Sequence, residues 1–513
     1  MFINSSHPVT SRREYLSSIL SKGFPYSRKL IAHTSCVNAL VFSRDGRFLV
    51  SGGDDMQLRL WDFHQDNVTS PSCMCVGPKS NVFALAVSAS NRYIYSGGTD
   101  ETVLKYDIAY FDSGMTYTPC TRYTDHQDSV RGITCHPVID HVVLTASDDG
   151  SVVRHDGRET SINLSRRRAQ DTLQLKTEIT GVEYHPEMEH LFVTSDSRGS
   201  VCLRDDRMAF GPLSRRSQLG VVLEYNTRIS RKSSSYLSNP ESSSVVFDRD
   251  GSKLAVTFLH YYPTVYSLSD PNPVAVLTAK QLPNGSFVPP TEKTYSNSCT
   301  MKHGSFGGFG LETDDLYVAG SDDFRAYVWK LPPVPELLEQ RQIISERDWA
   351  SDPWEGGVAF TRRCDDVKCI PVEISRPLCR LNGHRSIVNT SAVHPYMLHV
   401  ATAGIEHCII LHSPTPSSPC TQDLADSPTE TRSLSQDGDV DRAAYFRALH
   451  GHHLPVIETD DPDRMTISMF DHILREEGEA DVFEARRWTG DGSSSDELTD
   501  EVDKDSDEEI PFD

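Results

Sequence analysis

Apolar residues in this chain recur in short alternating runs, not at helical spacing, and the clearest runs close a repeated phrase. SGGDDMQLRLWD ends at Asp62, SGGTDETVLKYD at Asp107, TASDDGSVVRHD at Asp156 and AGSDDFRAYVWK at Lys330. Each phrase holds a stretch of small residues, a turn Asp and an alternating run that ends on an aromatic residue or Trp-Asp, the pattern of a tight turn between two strands. The turn acids Asp55, Asp100, Asp149 and Asp323 each stand six residues before the closing position. A fixed offset of this kind marks an internal repeat.

The upstream half of the unit extends the pattern. His33 with CVNALVF, His126 with SVRGITCHP and His384 with SIVNTSAVHP each precede a closing phrase, and the closing positions are Trp61, Tyr106, His155, Arg204, Tyr266, Trp329 and His412. Seven units result. Three are degenerate: the fourth has Arg198 in place of the turn Asp, the fifth lacks the acid, and the seventh has Glu406 there. From about Leu30 to Ser413 the chain resembles the WD40 family, which implies an all-β, seven-bladed propeller. A blade cannot bury both faces alone, whereas a closed ring of blades can. In the first unit His33, Ser51, Asp55 and Trp61 are expected to form a buried hydrogen-bonded relay, and Asp100, Asp149, Asp323, Trp329 and His384 hold the equivalent structural positions in other units.

Composition narrows the function classes. No nucleotide loop, zinc-protease helix, nucleophile elbow or kinase signature is present, and GSFGGFG at Gly304 to Gly310 lies inside a repeat with no βαβ pattern around it. The chain therefore reads as a non-enzyme without a cofactor. Its twelve cysteines include only Cys73/Cys75 and Cys364/Cys369 as close pairs, neither with the two-pair spacing of a structural zinc site, and the HGHH run at His450 to His453 lacks supporting ligands. No metal is expected. The N-terminus is polar and no segment is apolar for long enough to cross a bilayer, so a soluble intracellular protein of the nucleus, the cytoplasm or both is expected, without a membrane partner.

Net charge is −23, and residues 414–513 hold 27 acidic against 8 basic residues, so most of the excess lies in the tail. Direct nucleic-acid binding is not expected. SRRRAQ at Ser165 and RISRKSSS at Arg228 are local basic stretches, read either as exposed loops or as phosphate or localisation sites. Residues 1–29 form an N-terminal segment in which Tyr15, Leu16, Ile19 and Leu20 fall at helical spacing, a helix that either packs beneath the ring or docks elsewhere. Insertions are expected near 208–244 and 332–377. Residues 414–513 read as a largely disordered acidic tail carrying an amphipathic helix near 464–480, with Ser495 and Ser506 in acidic surroundings suited to phosphorylation.

Two units end on Asp-x-Arg: Asp156 with Arg158 and Asp205 with Arg207. With His155 and Arg204 replacing Trp, these occupy the W-D-x-R position of the DDB1-and-cullin-4-associated factors, WD40 substrate receptors of cullin-4 RING ubiquitin ligases. Longer phrases, CVNALVFSRDGRFLVSGGDD and LNGHRSIVNTSAVHPYMLHVATAGIEHCII among them, are similar to the same family. The resemblance implies that Asp156, Arg158, Asp205 and Arg207 face the damage-specific DNA-binding protein 1 adaptor of the cullin-4 ligase and that an unidentified protein substrate binds the opposite face. There, Asp54, Thr99, Asp148 and Asp322 precede the turn acids and are expected at an acidic upper rim that draws basic segments. The other class consistent with the sequence is a WD40 scaffold for a nuclear chromatin or RNA-processing complex with no ligase link.

Overall fold

The alternating runs pair as hairpins, and the hairpins repeat around a ring. The computed structural model describes residues 8–110, 112–158, 169–234, 236–351, 357–362, 367–434, 438–450, 461–478 and 480–483. Seven sheets run from an inner to an outer strand, six of them in chain order; the first comprises Val37–Phe42, Phe48–Gly53, Leu58–Asp62 and Cys73–Cys75. Inner strands touch their neighbours in sequence around the circle, until Val388–Val393 of the seventh blade meets Val37–Phe42 of the first. The chain is thus a seven-bladed β-propeller.

Closure comes from the N-terminus. Tyr26–Ile31 pairs antiparallel with Cys408–Ser413 over six residues and so supplies the outer strand of the last blade. The propeller begins at Tyr26, not near Leu30 as the repeats alone suggest, because this strand belongs to a sheet whose other members lie almost four hundred residues away. Core clusters are shared between adjacent blades: Leu49 and Trp61 of the first pack with Ile409 and Leu411 of the seventh, and Leu58 and Leu60 with Ile94 and Tyr106 of the second. Burial of this kind stabilises by about 1.5–3 kcal/mol for each large apolar side chain.

The small-residue stretch of the phrase has a steric cause. A Cβ on Gly53 would lie 1.9 Å from the Cys36 carbonyl oxygen, and one on Gly98 1.8 Å from that of Asn81, so the backbone entering the inner strand crosses there only if no side chain is present. Just beyond this crossing the pairing register shifts in six of the seven blades, between Val37 and Ala39, Val82 and Ala84, Val130 and Gly132, Ile179 and Gly181, Ser242 and Ser244, and Val388 and Thr390. Each skipped residue is turned out of the ladder.

The two insertions meet. Ile229–Arg231 from the first and Gln342–Ser345, Val358–Thr361 and Val367–Ile370 from the second form one extra four-stranded sheet outside the seven blades. Part of the stretch 208–244 is not inserted at all, since Val221–Glu224 is the outer strand of blade four. The N-terminal helix, Pro8–Leu20, buries Leu16, packs Leu20 near Phe24, Phe309 and Leu316, and holds Asp315 through Arg13 at 3.1 Å. It is docked on the ring, with Tyr15 exposed.

Past Ser413 the chain continues to pack on the ring. Cys420 is fully buried beside Val68, Ala425–Asp426 extends the closing sheet, and helix Arg464–Glu477 buries Leu474 against Cys36, Phe324, Ile387 and Ile405. Arg385 pairs with Asp461 and Asp463, and Arg432 grips Asp471 with two bonds of 2.7 Å. Composition marked this region as tail because its apolar residues are sparse, yet they fall where the ring needs covering. SRRRAQ up to Arg168, Cys364, His452, His453, Ser495 and Ser506 lie outside the described residues.

Truncation after Ser413 is expected to lower the melting temperature by at least about 5 °C, since it uncovers the surfaces that Cys420 and Leu474 cover and takes Asp461 and Asp463 from Arg385, which keeps only Glu406. Differential scanning calorimetry checks this, and an unchanged melt would place the region outside the cooperative unit.

Candidate functional site

The relay expected in the first blade is formed. His33 Nδ1 lies 2.9 Å from Asp55 Oδ2, His33 Nε2 lies 2.8 Å from Ser51 Oγ, and Trp61 Nε1 donates to the same hydroxyl at 3.1 Å. Burial pushes the Asp55 carboxyl up, but the His33 hydrogen bond and charge and two turn amides outweigh it, and its pKa falls below the usual range.

Blades three, four and seven, which lack the Trp, rebuild the relay with other side chains. In blade three Thr145 Oγ1 joins His126 at 2.7 Å to His155 at 2.9 Å, and in blade seven Thr402 joins His384 at 2.8 Å to His412 at 2.9 Å, with Glu406 on His384 at 3.0 Å. In blade four Arg204 Nε donates to Thr194 Oγ1 at 2.8 Å. That blade also has an acid: Asp196, two positions before Arg198, accepts from the Arg198 and Ser200 amides at 3.0 and 2.7 Å. Blades two and six depart further. Asp100 holds the Lys79 amide at 2.8 Å with no His, while Asp323 accepts from Tyr327 at 2.6 Å and Arg325 at 3.0 Å, and Trp329 donates to the Thr278 carbonyl. All of these residues lie within single blades or their joints and serve structure.

Two surfaces remain. At the lower rim, Asp156 and Asp205 end the third strands of adjacent blades at equivalent register, opposite Val142 and Leu191. Arg158 reaches back to Asp156 with bonds of 3.0 and 2.7 Å, and Arg207 to Asp205 with 3.0 and 2.6 Å, while both Arg side chains remain more than half exposed. The Arg hydrogen bonds, more than any other influence, lower the pKa of each Asp. In blades one and two the corresponding Asp62 and Asp107 bind Arg47 and Arg92, which come from the preceding hairpin turn. Of these four blades, the third and fourth send the guanidinium beyond the strand end, braced and oriented for a planar polar contact.

At the upper mouth of the channel lies a cavity of about 260 Å³. The residues skipped at the strand irregularities line it: Asn38, Phe83, Arg131, Thr180, Ser243 and Asn389. These were not expected from the sequence, although their place, one residue into each inner strand, was readable once the repeat was aligned. The four rim residues expected there already have partners. Asp54 accepts from Asn38 at 2.6 Å, Asp148 from Arg131 at 2.7 Å, Thr99 donates to Ser80 at 2.6 Å, and Asp322 is buried against Lys302. Burial raises the pKa of Asp54 and Asp148. Two of the three acids face cations, so the rim is a polar, internally matched ring and not a row of open carboxylates. Phe470 of helix Arg464–Glu477 also lines the cavity.

Comparison with known proteins agrees with this architecture. The model of the WD domain, G-beta repeat, matches residues 25–62 and 70–107. DDB1- and CUL4-associated factor 5 of Mus musculus and of Homo sapiens are each 31% identical over 402 residues, 78% of this chain and 35% of theirs. WD repeat protein iqw1 of Schizosaccharomyces pombe is 32% identical over 161 residues, 30% of this chain and 19% of its own length. The chain therefore spans about a third of the length of the factor 5 proteins it matches. Among the described residues no helix is long and apolar enough to cross a membrane.

The rebuilt relays predict a pH dependence. Burial, with a smaller push from His126 or His384, brings the pKa of His155 and His412 down to about 3, so both are neutral in the fold. An unfolded His takes its proton near pH ~6.5. Between these values the unfolded state binds more protons, and stability falls as pH drops below 6.5, by up to about 1.4 kcal/mol per pH unit for each imidazole. Urea unfolding of the chain and of an H155W/H412W variant between pH 7 and 4 measures the slope; equal slopes would show that neither imidazole is held neutral.

Proposed function

We propose, from the premise that this chain belongs to the WD40-repeat family and that its propeller is related to that of DDB1- and CUL4-associated factor 5, that it is the substrate-recognition subunit of a cullin-4 RING ubiquitin ligase. The observation that carries the reading is the pair of adjacent, exposed guanidinium forks on the lower rim, each braced by its own Asp. Arg158 and Arg207 would dock on the damage-specific DNA-binding protein 1 adaptor, and Asp156 and Asp205 would fix their orientation before contact, lowering the ordering cost of the interface.

The mechanism is positional. A protein substrate held on the upper face, around the mouth lined by Asn38, Arg131 and Asn389, is brought beside a ubiquitin-loaded enzyme recruited through the adaptor, and rate is gained through effective concentration. The chain itself transfers nothing and works in the nucleus, the cytoplasm or both.

Charge reversal of both forks, R158E/R207E, is expected to weaken co-purification with the adaptor by about thirtyfold or more, as loss of a hot-spot pair does. Stability should change by less than about 1 kcal/mol, because the pairs are exposed. Pull-down of the purified adaptor at low salt, with melting as a control, reads both. Undiminished binding would remove the forks from the interface, and no binding by the unmodified chain would favour a scaffold without a ligase link.

A further inference from the structure

The inserted sheet and the upper loops of blade five enclose a cavity of about 460 Å³ that the relay, the rim and the mouth do not use. Its walls are aromatic and charged, with Tyr261, Tyr262 and Tyr295 on the propeller side and Arg231 and Val358 on the sheet; Lys280 is paired with Glu373 of the same wall at 2.8 Å, which leaves Arg231 as the cation that meets Asp481. Tyr295 is 3% exposed and its hydroxyl has no hydrogen-bond partner.

The chain itself shows what this groove accepts. Asp481 forms an ion pair with Arg231, the Arg231 guanidinium lies 4.3 Å from the centre of the Phe483 ring, and Ser238 donates to the Val482 carbonyl at 2.7 Å. Val482 and Phe483 pack on the cluster of Ile229, Val276, Phe360 and Cys369. One arginine thus reads a carboxylate and an aromatic ring two residues apart, and a hydroxyl reads the backbone between them. Among the described residues the polar contacts of the segment with the groove are one ion pair, one hydrogen bond and one cation–π contact, added to the packing of Val482 and Phe483, so the tether contributes to holding it in place. A short tether supplies an effective concentration on the order of millimolar. A partner segment of the same chemistry with micromolar affinity would displace it.

We propose that this groove is a docking site for a partner protein's short acidic-aromatic segment, a carboxylate followed two residues later by an aromatic side chain, and that Asp481 to Phe483 is its resident occupant until such a partner arrives. The groove is built by the insertions, which explains why the two meet in one sheet: neither alone holds both Arg231 and the apolar floor of Val358 and Phe360. The basic stretch at Arg228, open to a phosphate or localisation reading from sequence, is committed here to an acidic peptide.

The test uses the full chain and a fluorescein-labelled peptide, Gly-Glu-Ala-Asp-Val-Phe-Glu, followed by anisotropy. The variant D481K/F483A, which vacates the groove, is expected to bind the peptide at least tenfold more tightly than the unmodified chain. Adding R231D should abolish that binding, and a peptide with Lys in place of Asp should restore it to the R231D protein, a rescue that a misfolded variant cannot give. The idea is overturned if the vacated variant melts normally and ignores the peptide, if the unmodified chain binds equally well, or if the Lys peptide binds the vacated variant as tightly as the Asp peptide. No adaptor is present in the assay, so its outcome is independent of the ligase reading.

Discussion

Every feature of this molecule depends on the pairing of Tyr26–Ile31 with Cys408–Ser413. A four-stranded blade exposes two apolar faces and cannot stand alone, so the seven blades are stable only as a circle in which each face meets a neighbour. The circle is held shut by one six-residue antiparallel ladder between the two ends of the repeat array. Leu30 within it is fully buried with Leu49, Trp61 and Ile409, which couples the first blade to the last through side chains as well as backbone. Loss of that ladder would open the ring at one seam and expose the core shared across it.

Closure also makes surfaces. Because the inner strands converge on an axis, the residue skipped at the start of six of them lines the same upper mouth, and a local irregularity repeated around a ring becomes a cavity with these six side chains on its wall. The lower rim works by the same geometry. Asp156 and Asp205 are far apart in sequence, yet equal register in adjacent blades puts their arginines on one edge. The rigid scaffold carries the polar contacts, and the insertions, which the ring tolerates at its edge, add a groove that no single blade possesses.

The relays show how the repeat withstands substitution. Trp61 contributes an N–H to a buried hydroxyl as well as an apolar ring; Arg204 keeps a donating N–H, and His155 and His412 each keep a ring nitrogen in hydrogen-bond contact with the equivalent hydroxyl. What must be kept physically is a nitrogen partner for Ser51, Thr145, Thr402 or Thr194, since an unmet hydroxyl at such depth costs about 1–3 kcal/mol. The exchange of Trp for His moves the constraint from volume to protonation, and so ties the fold to pH.

Sequence alone determined the number of blades, the hairpin in each, the first relay and the two Asp-x-Arg ends, because these depend on residues within some thirty positions of one another and the repeat displays them several times over. It misplaced the acid of blade four, where Asp196 takes over from two positions earlier, since side-chain reach and not spacing decides which carboxylate satisfies a turn. It could not show that the rim acids are matched by Asn38, Arg131 and Lys302, that two distant insertions share a sheet, or that residues after Ser413 cover the ring. The rim partners stand only 16, 17 and 20 residues from their acids but are chosen by side-chain reach, whereas the shared sheet and the covering helix join segments more than a hundred residues apart, and no local period records either kind of contact. Only the closed ring, by fixing where each loop emerges, decided which of them could meet.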